Sequence, residues 1–373
     1  IVEDGDSTIV VDANNTTIAN NTIIFDSGSN TDIGIETVPN SLSPEEKFDG
    51  VSGLTIHNNV FNHPDDSSGN TYAGVYINPS DDDGEDLITA QVSVTNNTFN
   101  GAITVGIVSE HDNVVISDNT LNASVSVSSN NGIIVRQAAT ADDQVSDVTI
   151  ESNTIGGSAG FNSAIEAGTF AGDPVNNLTV SSNDITNASH EGVLIEGDVD
   201  KVDIENNTFT SISDQGDGAI VLNATEGPFT LVNVTGNTIQ DSSGATGLNI
   251  LDQSENVDLD VEGLTIDNVS TGIDISDGRD ISINNVDINS TAVGINYNDD
   301  NGPDTDDLNI TNSEITHADT AGIQFNGDGD SDNLDVRVHF NTFSDNEIGI
   351  ETATDFGDGD PDPNVDLTFN DFV

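Results

Sequence analysis

One short pattern recurs along almost the whole chain, and nothing else constrains the fold as tightly. Its first half reads apolar-x-apolar-x-x-Asn-x-(Phe, Ile or Leu), as in Leu54-Ile56-Asn59-Phe61, Val92-Val94-Asn97-Phe99 and Val114-Ile116-Asn119-Leu121. It continues as Val148-Ile150-Asn153-Ile155, Leu178-Val180-Asn183-Ile185, Val202-Ile204-Asn207-Phe209 and Val232-Val234-Asn237-Ile239. Late copies are Val336-Val338-Asn341-Phe343 and Val365-Leu367-Asn370-Phe372, and Ile18-Asn21-Ile23 is an early one. Three copies vary the Asn slot: Leu264-Ile266 is followed by Val269, Ile281-Ile283 by Val286 and Leu308-Ile310 by Ser313. The second half is a Gly before an apolar residue, from Gly34-Ile35 and Gly74-Val75 to Gly322-Ile323 and Gly349-Ile350, with Ala164 and Ala219 replacing the Gly twice. The twelve steps from Asn21 to Asn370 average about 29 residues, unevenly spaced as expected where turns carry insertions.

Apolar alternation over three to five residues rich in Val, Ile, Thr and Phe specifies short strands with one buried face. An Asn at a fixed offset suits a left-handed bend, and the Gly suits a second one. Stacked at the strand spacing of about 4.8 Å, such Asn residues can hydrogen-bond to one another as an internal ladder. A single coil cannot bury its own apolar side, whereas many stacked coils share a continuous core. The expectation is an all-β, right-handed parallel β-helix of about 13 coils with an Asn ladder and no evident helical caps, continuous over residues 1–373. Leucine-rich repeats need a longer Leu consensus, helical solenoids need a 3.6-residue period, and a β-sandwich would not hold Asn at one register in ten coils.

Composition bears on where such a coil works. The formal net charge is −62, from 67 acidic residues against five Lys and Arg. At molar salt the Debye length falls to about 3 Å, so neighbouring carboxylates hardly repel. The composition resembles that of secreted haloarchaeal proteins; an acidic mesophilic surface protein is the alternative. There is no Cys for disulfides or thiolate chemistry. No apolar run of about 18 residues would span a membrane. Without a basic patch, nucleic acid is not an expected partner.

The coil pattern resembles the parallel β-helix repeat family, the pectate-lyase-like superfamily that also contains polygalacturonases and NosD-like surface proteins. That resemblance implies the fold over nearly the whole chain and leaves the task open. Polygalacturonase-like motifs are matched only by Asn30-Thr31-Asp32, without partners in the adjoining coils, and Asp142-Asp143 stands far from it. Pectate-lyase-like chemistry needs a basic residue beside cation-binding carboxylates. Arg136, Arg279 and Arg337 fall on different coils and read as solvated or salt-bridged. His57 and His339 share an outward strand register ten coils apart, and His63, His111, His190 and His317 lie in scattered turns, so no His cluster emerges.

The Asp-rich turns offer the clearest candidate ligands. Asp304 and Asp306, then Asp328, Asp330 and Asp332, then Asp358, Asp360 and Asp362 occupy equivalent turns of three consecutive coils. Alternate Asp residues present hard oxygen ligands of the kind Ca²⁺ prefers, although the loops lack the EF-hand glycine and terminal glutamate. Diffuse cation solvation is the alternative. Asn-x-Ser/Thr sequons at Asn96, Asn122, Asn177, Asn206, Asn233 and Asn309 permit glycosylation without demonstrating it, because an Asn- and Thr-rich chain generates them readily.

Neither end of the sequence reads as a capping helix, so the terminal coils are expected to meet further chain or other subunits. The leading expectation is a secreted structural or adhesive β-solenoid at the cell surface. It self-associates as a filament, lattice or trimer, or contacts surface glycans. The alternative is a carbohydrate-active enzyme or glycan-binding module on the same fold.

Overall fold

The computed structural model describes residues 7–11, 13–25, 31–37, 51, 53–63, 71–77, 91–125, 130–136, 145–168, 175–197, 199–213, 218–224, 229–251, 258–276, 280–299, 307–327, 335–352 and 364–373. Every regular element among them is a β-strand. The chain divides into two compact units, Ile1–Ser189 and His190–Val373, each a parallel β-helix of the expected kind.

In the first unit, three columns of strands run parallel. The first contains Thr17–Ala19, Thr55–His57, Val92–Thr95, Val114–Ser117, Val145–Glu151 and Val175–Ser181. After each, two residues turn the chain into a short strand such as Val60–Asn62 or Thr98–Gly101. The third column includes Thr31–Thr37, Thr71–Ile77, Val105–Ser109, Asn131–Arg136 and Ser163–Gly168. The second unit repeats this plan from Val199–Glu205 to Asn364–Asp366. There, Thr238–Leu251 and Thr265–Ser276 run unbroken where other coils have two separate strands.

Register explains the core. Ile56, Val94, Ile116 and Ile150 pair coil to coil, and all are fully buried. Phe61 and Phe99 stack with ring centroids 4.5 Å apart. Each coil alone would expose these side chains; stacking removes them from water at about 25 cal/mol per Å².

The Asn ladder forms as the repeat implies. Asn59 donates its backbone N–H and its Nδ2 to Oδ1 of Asn97 at 2.9 and 3.1 Å, and Nδ2 also reaches the Ile18 carbonyl at 2.9 Å. Asn97 treats Asn119 in the same way, and Asn119 treats Asn153. These amides are at most 1% exposed, so every bond satisfies a group that water cannot reach.

Three details differ from the sequence expectation. The left-handed bend belongs to the residue before the ladder Asn: Asn20, Asn58, Asn96, Asp118, Ser152 and Ser182 have φ of 55–61°. The repeated Gly marks no bend. Gly74 lies inside a strand with no positive φ, and a Cβ there would come within 2.4 Å of the Phe99 ring, so Gly makes room for the apolar stack. Third, Leu264 itself fills an Asn slot, because Val261 pairs with Val234 and Ile266 with Ile239. Val269 instead pairs with Ser242, three residues beyond the stack.

Candidate functional site: tyrosine, glutamate and arginine across three coils

Third-column strands of the first unit share one register. Val75, Ile77, Ile107, Ile133 and Val135 point into the core, which turns Tyr76, Val108 and Ile134 outward as one register row. Glu36 precedes this row and Glu166 follows it.

Beside the row, three polar side chains from successive coils converge. The Tyr76 hydroxyl donates to Oε1 of Glu110 at 2.7 Å, and Nε of Arg136 donates to the same oxygen at 2.9 Å. Glu110 directly follows the strand Val105–Ser109 and is only 6% exposed, whereas the Arg136 side chain is 37% exposed. Burial, the bond to Glu110 and its negative charge push the Tyr76 pKa up to about 12, so the hydroxyl stays protonated and donating. Burial works to lower the Arg136 pKa, but hydrogen bonds and charge from Tyr76 and Glu110 outweigh it, and the net shift is upward. Asn131 extends the polar surface by donating to Glu166 at 2.5 Å. Outward-facing Val108 and Ile134 are nonetheless buried, at 3% and 7% exposed, and back the cluster with apolar surface.

Such a site offers a fixed carboxylate acceptor, a guanidinium fork with further donors and an aromatic face. These are the groups that bind a ligand carrying both hydroxyls and an apolar C–H surface.

Of the sequence candidates, Arg136 is salt-bridged as expected, and Arg337 lies 3.4 Å from Asp335. Arg279 lies outside the described residues, as do Asn30, Asp142 and Asp143. The structure does not bring the histidines together. His63 is buried and stacks on Phe25 at 4.1 Å, and burial lowers its pKa to about 3. His111 is 2% exposed, with Nδ1 2.6 Å from the Asp112 carbonyl, while His317 faces Asn289. All the candidate cation ligands, Asp304, Asp306, Asp328, Asp330, Asp332, Asp358, Asp360 and Asp362, lie outside the described residues.

Sequence reasoning missed Tyr76 and Glu110. Unequal coil lengths hide which turn residue falls beside which strand. It also missed a second feature. In the second unit Phe340 and Phe369 occupy the left-handed position before the ladder Asn, both at φ 59°, where most other coils use Asn, Asp, Ser or Gly. Their rings are 58% and 75% exposed and stack 5.2 Å apart. A bulky residue there is strained, and only its place before Asn341 and Asn370 could have flagged it.

No protein-family model matches the chain, and no curated sequence is significantly similar to it. Solved structures are similar in fold. The catalytic unit of the thermostable GH87 α-1,3-glucanase of Streptomyces thermodiastaticus aligns with a TM-score of 0.51 and 13% identity over 96% of this chain. This chain spans 61% of that glucanase unit. The surface protein and adhesin PfbA of Streptococcus pneumoniae aligns with a TM-score of 0.51 and 12% identity, covering 92% of this chain and 89% of PfbA. At such identities the likeness establishes the parallel β-helix and nothing finer.

Proposed function

We propose that this chain is an extracellular β-solenoid of a salt-adapted microbe that adheres to glycans through the outer face of its first unit. The observation that carries the reading is the Tyr76–Glu110–Arg136 network, in which three coils converge on one partly exposed polar cluster. A surface built only for solubility has no need to bury Glu110 under a tyrosine and an arginine. The net charge of −62 favours a neutral glycan over an acidic one, since a polyanion would meet repulsion at long range. An adhesin and an α-1,3-glucanase share the fold, so it accommodates either the adhesive or the catalytic reading. Self-association into a filament or lattice, and cation binding by the Asp-rich turns, belong to the same proposal.

Binding to a panel of neutral and acidic polysaccharides in molar salt tests it. Saturable binding that drops at least tenfold in Arg136→Gln and Tyr76→Ala supports the reading; equal binding by wild type and both variants overturns it. A second reading, catalysis at the same cluster, draws on the Tyr76 hydroxyl held protonated against Glu110. Steady release of new reducing ends or unsaturated products, abolished by Glu110→Gln, would select it over adhesion.

A further inference from the structure

The coil's bend chemistry creates modification sites. Each bend needs a left-handed residue, then the buried ladder Asn, then a strand residue that is often Thr. At three corners a left-handed Asn, the ladder Asn and a Thr together form the sequon Asn-Asn-Thr: Asn20-Asn21-Thr22, Asn96-Asn97-Thr98 and Asn206-Asn207-Thr208. A further bend carries Asn15-Thr16-Thr17, with Asn15 at φ 56°. A glycan acceptor must project into solvent and must have a free side-chain nitrogen; Asn122 meets both grounds but lies in a strand, so the left-handed corner is the third ground on which the sequons are sorted.

Many sequon amides are engaged. Nδ2 of Asn96 donates to Asn58 at 2.6 Å, that of Asn233 to Asp203 at 2.6 Å and that of Asn289 to Asp267 at 2.6 Å, and Asn177 donates to Asp147. Asn15, Asn20 and Asn206 differ. Each is exposed, each sits at a left-handed corner, and none makes a side-chain hydrogen bond among the described residues. Two of them lean on a glycine of the next coil: a Cβ on Gly53 or Gly236 would come within 2.7 or 2.6 Å of the Oδ1 of Asn15 or Asn206, so the absent side chain there lets each Asn hold its corner.

We infer that Asn15, Asn20 and Asn206 are N-linked glycan acceptors. Nδ2 displaces the lipid pyrophosphate from C1 of a lipid-linked oligosaccharide. An N–C1 bond forms, the C1–O bond to phosphate breaks, and Nδ2 loses one proton. A bulky hydrophilic group at these corners leaves the ladder untouched, because Asn21 and Asn207 beneath keep their own amides.

The inference rests on export from the cell, part of the proposed function, so the test separates the two. Protein recovered from the source cells and from their medium is digested and its peptides are weighed. Glycopeptides at Asn15, Asn20 and Asn206, with bare Asn177, Asn233 and Asn289, are expected. Thr208→Val should remove the Asn206 glycan and Thr208→Ser should retain it, since both keep the left-handed Asn. Protein found outside the cell with all three sites bare overturns the glycan assignment and leaves export standing. Protein confined inside the cell overturns both.

Discussion

The two units solve the same packing problem differently. In Ile1–Ser189, Asn21, Asn59, Asn97, Asn119, Asn153 and Asn183 form consecutive rungs of one amide ladder. In His190–Val373 the ladder runs from Asn207 to Asn237, meets Leu264 and Val286, and resumes through Ser313 to Asn341 and Asn370. Both substitutes are buried, Leu264 fully and Val286 at 2% exposed. Apolar burial can therefore replace a rung, provided the neighbouring amide keeps a partner, as Asn237 does with the Ile204 carbonyl at 2.8 Å. The ladder is one way to fill the corner and not a condition for the coil.

The outward rows differ as well. Between the two core positions of the first column, the first unit stacks Thr17, Thr55, Ser93, Val115, Thr149 and Thr179. The second unit stacks Asp203, Asn233, Asp260, Ser282, Asn309, Arg337 and Asp366 at the same position. No acid in that row adjoins another. Two carboxylates one strand apart would repel by a few kcal/mol at an effective dielectric of about 20. Interleaved amides turn part of that repulsion into hydrogen bonds, as from Asn233 to Asp203. Other rows do place acids side by side, as Asp287 beside Glu314 and Asp307 beside Asp335.

The contrast breaks first at the ladder. Asn119→Leu leaves the Asn97 N–H and one of its two Nδ2 hydrogens without an acceptor, although Nδ2 keeps the Ile56 carbonyl, and removes donors from the Val94 carbonyl and Asn153. A loss of about 3 kcal/mol is expected. Leu264→Asn should shift stability by less than about 1 kcal/mol, as lost burial offsets regained bonds. Denaturant titration in fixed molar salt checks both, and equal losses would remove the distinction.

Acid sensitivity, felt only below pH 6.5, also lies in the first unit. His63 has a folded pKa of about 3 against 6.5 for the unfolded chain, so between these values the unfolded state binds more protons. Its neutral-form advantage is complete above pH 6.5 and is lost as pH falls toward 3. His63→Phe, which can keep the stack on Phe25, should flatten the fall by up to about 1.4 kcal/mol per pH unit. Parallel acid titrations of wild type and variant measure the difference.

Charge placement should show a smaller, salt-dependent effect. Asn233→Asp puts three carboxylates in a row and should destabilise by about 1–2 kcal/mol at low salt, fading in molar salt. Thr149→Asp, between Val115 and Thr179, should cost less than about 0.5 kcal/mol at either salt. Melting temperatures across a salt series would decide. The smallest expected change is a gain. Phe340→Asn relieves the left-handed strain but loses the stack on Phe369, for a net stabilisation of about 0.5 kcal/mol. Unchanged or lower stability would show that the stack outweighs the strain.

The coil was legible because its period is enforced in every rung: Ile56, Asn59 and Phe61 each occupy a position that a single shift would ruin. Finer assignments failed where two explanations share one residue type. Asn suits both a ladder rung and a left-handed corner, and Asn58-Asn59 uses it for both, so sequence could not tell which residue bends. Gly74 suits a bend by residue type, although its role is to admit the Phe99 ring. The site was the least legible part. Arg136 could be seen as paired, but Glu110 becomes its partner only because it lies 26 positions away in the chain, a spacing that differs from the coils around it.

The ladder also has a direction. Each Oδ1 of the first unit's rungs receives from the preceding coil, and each rung's backbone N–H and one Nδ2 hydrogen pass to the following rung, while the other Nδ2 hydrogen reaches back to a strand carbonyl, so the rung-to-rung bonds all point one way. Two such stacks placed face to face would oppose oxygen to oxygen at one end, or donor to donor at the other. A second copy that extended this core would have to join tail to head, and contacts of that kind build an open series and not a closed pair.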